Sequence, residues 1–352
     1  MHEALMRGGA ARWVGSAAVG LIATVCMLAG AAAPATADEP VKIRLGTLAP
    51  KGSTYHRALQ EMGEKWRQAQ GPSSTFTIYT DGTQGGEADM VRRMRVGQLN
   101  AALVSVVGLM EIDRSVTALQ YMPMVYHDWA EVDYVREKLR ANLEKRLQDK
   151  GFVVLLWGEA GWVRYFSKEQ ELTPADFKKT KLWVWSGDND QVDLMKAIGY
   201  QPVPLETADI LPGLQTGLIN AVSVSSYFAL VGQFDSVAKH MLDLKWAPVT
   251  GAAVITRKAW DQMSPAAREQ LKIAGEAAGI KIRERARQED LEAIEAMKKR
   301  GLVVHPVTPD LEADWRRMAE SVYPKLRGTM VPAEMFDQVR AIVTEYRKQH
   351  GK

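Results

Sequence analysis

Residues 264 to 301 constrain the fold of this chain most tightly. Ser264 is a good N-cap, Pro265 suits a first helical turn and Gly301 is a strong stop, so one helix can run through to Arg300. At 1.5 Å per residue that helix is on the order of 50 Å long, more than one lobe of such a chain would need. It belongs to a coiled coil or lies across two lobes. Its apolar spacing is too irregular for sustained heptads, which favours the second arrangement. Gly275 and Gly279 mark two places where it would bend.

Upstream, strand and helix patterns alternate. Val41 to Gly46 alternates apolar with polar like a strand, and Ser53 caps a helix from Thr54 to about Gln70. Thr75 to Thr80 reads as a strand, Glu87 to Val96 as a helix and Ala101 to Val107 as a third strand. That succession predicts a parallel α/β lobe, with ligands at the carboxyl ends of the strands. After a helix over 128–150, the buried run from Phe152 to Trp157 continues toward Phe166 and is the candidate first crossing between lobes. Thr173 to Asp176 opens a short helix, Lys181 to Trp185 is a strand, and helices over 191–198 and 207–216 lead to a strand from Ala221 to Ser225. The second lobe is therefore also α/β. A short strand from Leu302 to Val307 and helices over 311–322 and 332–350 finish the chain.

The N-terminus speaks to compartment. Arg7 and Arg12 precede an apolar stretch from Trp13 to Gly30, and Ala35-Thr36-Ala37 offers the small-x-small pattern of a signal-peptidase site. An uncleaved anchor is the alternative, but the small residues from Gly30 to Ala37 favour cleavage and a mature chain starting near Asp38, in the periplasm. Cys26, the only cysteine, would leave with the peptide, so the mature chain relies on its core and not on disulfides. A formal charge of +3, evenly spread, does not suggest nucleic-acid binding. The expected organisation is 1–37 signal peptide, 38–157 lobe I, 158–250 lobe II, and 251–352 returning segments with the long interlobe helix and C-terminal helices.

Several segments, in order, carry a resemblance: Leu48-Ala49-Pro50, Thr83-Gln84-Gly85-Gly86, Gly97-Gln98-Leu99-Asn100, Met122-Pro123-Met124, Gly161-Trp162-Val163-Arg164, Thr173-Pro174-Ala175-Asp176-Phe177, and Leu214-Gln215-Thr216-Gly217-Leu218-Ile219-Asn220. Together with the long helix they resemble the solute-binding proteins of TRAP (tripartite ATP-independent periplasmic) transporters, across essentially all of the mature chain. The resemblance implies a two-lobed, type II-like periplasmic binding protein fold. It also implies a receptor that closes on a small organic solute and delivers it to TRAP membrane subunits for ion-gradient-driven uptake. Members usually pair an arginine with the carboxylate of an organic acid, a geometry that suits a guanidinium. Here Trp183 stands where the resemblance places that arginine.

The ligand-binding candidates follow from that departure. Trp183 and Trp185 share one face of a strand and would form a stacking wall. Trp157 and Trp246 belong to the same tryptophan-rich stretch. Arg164 is the remaining cation, an anchor for a carboxylate or an interlobe salt bridge. Asn220 and Ser223 follow the Thr-Gly segment, while Tyr55 and His56 follow the first strand. The nearly apolar Val104-Ser105-Val106-Val107 suggests a hydrophobic ligand or an organic acid with apolar or aromatic character, such as a monocarboxylate, since unpaired polar groups would be costly there. No Gly-x-Ser-x-Gly or His-Glu-x-x-His occurs, and the histidines lack ligand spacing, so neither an enzyme nor a metal or other cofactor is expected. A ligand shuttle or sensor handing its cargo to a helper lipoprotein is the alternative, and a periplasmic hydrolase a more distant one.

Overall fold

The computed structural model describes residues 40–351, and the expected signal peptide and Cys26 lie outside them. Among the described residues, ten strands carry the architecture: β1 Lys42–Thr47, β2 Thr75–Tyr79, β3 Ala101–Ser105, β4 Phe152–Ser167, β5 Lys181–Trp185, β6 Gln201–Leu205, β7 Ala221–Ser225, β8 His240–Leu242, β9 Pro248–Thr256 and β10 Val303–His305. They run in the order β2-β1-β3-β9-β4-β7-β5-β6, with β8 on β4 and β10 on β8. β1, β2 and β3 are parallel, as the alternation predicts, but β9 enters antiparallel between β3 and β4. The sequence reading has no strand there. β9 is a nearly continuous apolar run, buried on both sides, so it has no period-two signature.

β4 joins the lobes. Its first part pairs with β9 as far as Trp162↔Pro248, and from Val163↔Ser225 onward it pairs with β7. The register shifts between Glu159 and Trp162, and Gly161 there has φ +94°, a conformation other residues adopt only with strain. The expected boundary between residues 157 and 158 falls inside this strand, a few residues before the pairing changes hands. β6, absent from the sequence reading, is an edge strand carrying Pro202 and Pro204, whose two-residue spacing keeps both missing N–H groups on one side.

The long helix is observed as Pro265–Lys299, 35 residues, with the Ser264 side chain accepting from the Ala267 amide. Leu271, Ala278, Ile282 and Ala286 lie in the core built on β1, β4 and β9. Ala293, Ile294 and Met297 lie in a second core with Phe166, Trp183 and Val222. One helix thus buries its two ends in two lobes. The helix runs unbroken through Gly275 and Gly279. A Cβ on Gly275 would stand 2.2 Å from the Leu155 carbonyl oxygen, and one on Gly279 2.9 Å from that of Trp157. These glycines let the helix backbone press onto β4.

Local signals held elsewhere. Thr54–Gln70 is a helix capped by Ser53, and Thr173 with Asp176 forms a reciprocal capping box. The third strand ends at Ser105 and not at Val107. Ser105 accepts a hydrogen bond from the Val107 amide and turns the chain into a short helix, Val106–Leu109.

Candidate ligand cleft

Two cavities meet where the lobes face each other. The first, about 130 Å³, lies between β5, the helix Asn189–Ala197 and the helix Pro309–Leu326; Trp183, Trp185, Tyr165, Tyr200 and Trp246 line it. The second, about 170 Å³, lies at the carboxyl ends of β1, β3 and β7, where the α/β rule places ligands. Gln120, Val163, Trp185 and Ser223 line both. A cavity of about 150 Å³ accommodates one benzene ring, so each chamber is of that order.

The first chamber is an aromatic box. Trp183 and Trp185 do share a face, with ring centroids 5.1 Å apart. Trp183 is 1% exposed and donates its indole N–H to the Leu205 carbonyl, 3.1 Å away, so its polar edge is used by the fold. Trp185 is only partly buried and sits where the chambers join. Tyr165 packs edge-on against Trp246, and both rings contact Trp315. Burial pushes the Tyr165 and Tyr200 hydroxyls above the ordinary tyrosine range, which keeps both neutral.

The second chamber has a mostly apolar lining with two carboxylate residues at its border. Glu87 begins the helix Glu87–Arg95, and its carboxylate accepts from the Ser105 amide at 2.8 Å, the Ser105 hydroxyl at 2.6 Å and the Gly108 amide at 3.0 Å. Burial raises its pKa, opposed by those hydrogen bonds. Glu159 also borders the chamber, but its carboxylate is fully buried between Arg136 and Arg287. Among the described residues, no arginine, lysine or histidine lines either cavity.

Trp183, Trp185, Ser223, Trp246 and Tyr55 therefore reach the cleft. Tyr55 does so with its hydroxyl donated to the Glu159 carbonyl at 2.7 Å. Four expected contacts stand apart from it. Arg164 lies between Val163 and Tyr165, which line the cavity, and alternation along β4 turns it to the other face. There its guanidinium meets Asp290 at 2.6 Å and Asp243 at 2.7 Å, the salt-bridge alternative of the sequence reading. Asn220 precedes β7 at the amino end, its backbone bonded to Lys181 and Lys168. The Trp157 indole donates to Glu144 within the lobe I core, and His56 Nδ1 accepts from the Gly52 amide. Sequence reasoning missed Gln120, Tyr200 and Thr250. Gln120 lies two residues before the quoted Met122-Pro123-Met124 motif, whereas Thr250 sits on the unrecognised strand β9.

Two-lobed topology, a long helix common to both lobes and a ligand-sized cleft at the strand ends define a periplasmic solute-binding protein. The chain belongs to the bacterial extracellular solute-binding proteins of family 7, whose model matches residues 45–328, and so to the TRAP receptors. It is 24% identical over 295 residues to the 2,3-diketo-L-gulonate-binding periplasmic protein of Escherichia coli, covering 79% of this chain and 85% of the relative. A TRAP periplasmic solute-binding protein from Xanthobacter autotrophicus with bound β-D-galacturonate superposes with TM-score 0.77 at 17% identity, covering 86% of this chain and 99% of that one. One from Ralstonia eutropha with bound (S)-2-acetolactate gives TM-score 0.78 at 19% identity over the same shares. At such identities the structural likeness carries the fold.

Proposed function

We propose that this receptor captures a small organic solute with substantial apolar or aromatic surface and delivers it to TRAP membrane subunits for ion-gradient-driven uptake. The observation that carries the reading is the cleft lining, aromatic in one chamber and without a cationic side chain in either. A carboxylate held in a low-dielectric site without a cation would forfeit its hydration uncompensated. The relatives named with sugar acids or a hydroxy-keto acid leave this chain's ligand open, and the lining counts against an acid clamped by arginine, a monocarboxylate included. Those relatives are TRAP receptors, which favours direct delivery to membrane subunits over a helper lipoprotein. Receptor membership likewise favours binding without turnover.

Calorimetric titration tests the reading. Galacturonate and C4-dicarboxylates are expected to give no heat at micromolar protein, while uncharged aromatic compounds of one-ring size bind. Micromolar binding of galacturonate with no response to any aromatic compound would sink it.

A further inference from the structure

Two residues that line the cleft carry buried hydroxyls with no hydrogen-bond partner among the described residues: Tyr200 Oη beside the first chamber and Thr250 Oγ1 beside the second. Thr250 is 3% exposed, so its hydroxyl cannot turn to bulk water. A buried polar atom left unsatisfied costs on the order of 1–3 kcal/mol, which makes it a feature that needs a reason. Its surroundings supply one. The Thr250 amide donates to Gln120 Oε1 at 3.0 Å, which fixes Gln120 beside it. The next residue, Gly251, is in register with Ser105, the residue that holds Glu87. Threonine, glutamine and glutamate thus border one chamber.

The donor and acceptor inventory of that corner is specific. Glu87 Oε2 already accepts from the Ser105 hydroxyl and the Gly108 amide, while among the described residues Oε1 accepts only from the Ser105 amide. A carboxylate offers about four lone-pair sites, so Oε1 keeps one for a ligand donor. Gln120 Oε1 is taken by Thr250, and its amide nitrogen has no hydrogen bond among the described residues. The corner therefore offers an acceptor at Glu87, a donor at Gln120 and a hydroxyl at Thr250 that serves as either. A hydroxyl or a primary amide matches that set. A carboxylate does not: it brings acceptors only, and its charge faces Glu87 with no cation in the lining.

We propose that Thr250, Gln120 and Glu87 form the polar subsite of the cleft and take the uncharged hydrogen-bonding end, a hydroxyl or an amide, of a ligand whose apolar part fills the chamber of Trp185. This rests on the apolar-cleft reading and adds what lies at the ligand's other end. It makes the receptor selective against anions through Glu87 and through the absence of a counter-charge, and not through pocket size.

The test uses the mature protein and four probes with one ring and one side-chain length: propylbenzene, phenylpropanol, phenylpropanamide and phenylpropanoate, titrated by calorimetry at pH 7. The alcohol and the amide bind more tightly than propylbenzene, and phenylpropanoate binds at least about tenfold more weakly than the amide, the order of penalty for charge beside an uncompensated carboxylate. Thr250→Val weakens the alcohol and the amide about fivefold, the worth of one neutral hydrogen bond, and leaves propylbenzene unchanged. Glu87→Gln narrows the gap between phenylpropanoate and the amide. Equal affinity for phenylpropanoate and the amide overturns the proposal. So does unchanged amide affinity in Thr250→Val, which would mean that Thr250 only holds a buried water. Failure of all four aromatic probes overturns the apolar-cleft reading itself, and the two failures are thereby told apart.

Discussion

Arg164 offers the sharpest separation between a ligand anchor and a structural tie. Its guanidinium reaches Asp290 at 2.6 Å with both side chains 3% exposed, and Asp243 at 2.7 Å with the aspartate 43% exposed. The two arms should differ greatly in worth. Breaking a buried pair by removing one partner costs about 3–5 kcal/mol, because the other charge stays buried. An exposed pair is worth about 0.2–1 kcal/mol. Asp290 also accepts from the Ser226 amide at 2.8 Å, so it fastens the long helix to β4 and to the start of the helix Ser226–Val231. Arg164→Met should therefore lose about 3–5 kcal/mol in urea denaturation, a large part of a typical total of 5–15 kcal/mol. Asp243→Asn should lose less than about 1 kcal/mol. Folded Arg164→Met, checked by circular dichroism, should bind phenylpropanamide within about twofold of wild type, since Arg164 lines neither cavity. An Arg164→Met protein of unchanged stability that no longer binds would refute this reasoning and return Arg164 to the ligand.

The neighbouring tryptophans should divide in a similar way. Trp183→Ala should cost about 3–5 kcal/mol of stability as a core truncation, whereas Trp185→Ala should leave stability nearly intact and weaken aromatic probes about tenfold; titration and denaturation of both variants check the split. Gly275→Ala forces a Cβ to 2.2 Å from a carbonyl oxygen and should lower the thermal midpoint by an amount worth about 1–3 kcal/mol, visible by calorimetry. Glu276 on the long helix is held below its ordinary range, 4.5, chiefly by the hydrogen bond from Arg140, with burial opposing. A depressed carboxyl pKa adds stability above the unfolded value that is lost as pH falls through the folded one. Glu276→Gln should thus cost at most about 1 kcal/mol at pH 7, given the carboxylate's exposure, and nothing in acid well below 4.5, as denaturation at the two pH values would show.

The parts of the fold that were legible in the sequence are those whose signals are local. Ser53, Thr173 and Ser264 each cap a helix through their own side chains, and the long helix declares itself between a cap and a glycine. β9 was not legible, because a strand buried on both faces has no alternation and its place between β3 and β4 is set by partners far away in sequence. The roles of Gly275 and Gly279 were hidden for the same reason: the atoms that require them belong to β4. The site divided along this line too. The shared face of Trp183 and Trp185 follows from strand parity, but the exclusion of Arg164 depends on which face of β4 meets the cleft, and that is fixed only when β7 and the long helix pack. Thr250 gave no signal at all, since an unpartnered hydroxyl can be recognised only after every partner has been placed.

The most direct test of the central claim is native mass spectrometry of the protein purified from its own periplasm, followed by identification of the released small molecule. The account predicts a one-to-one complex with an uncharged molecule that has a ring or branched apolar part and a terminal hydroxyl or amide. A hexuronate or a dicarboxylate in the same one-to-one complex would contradict it.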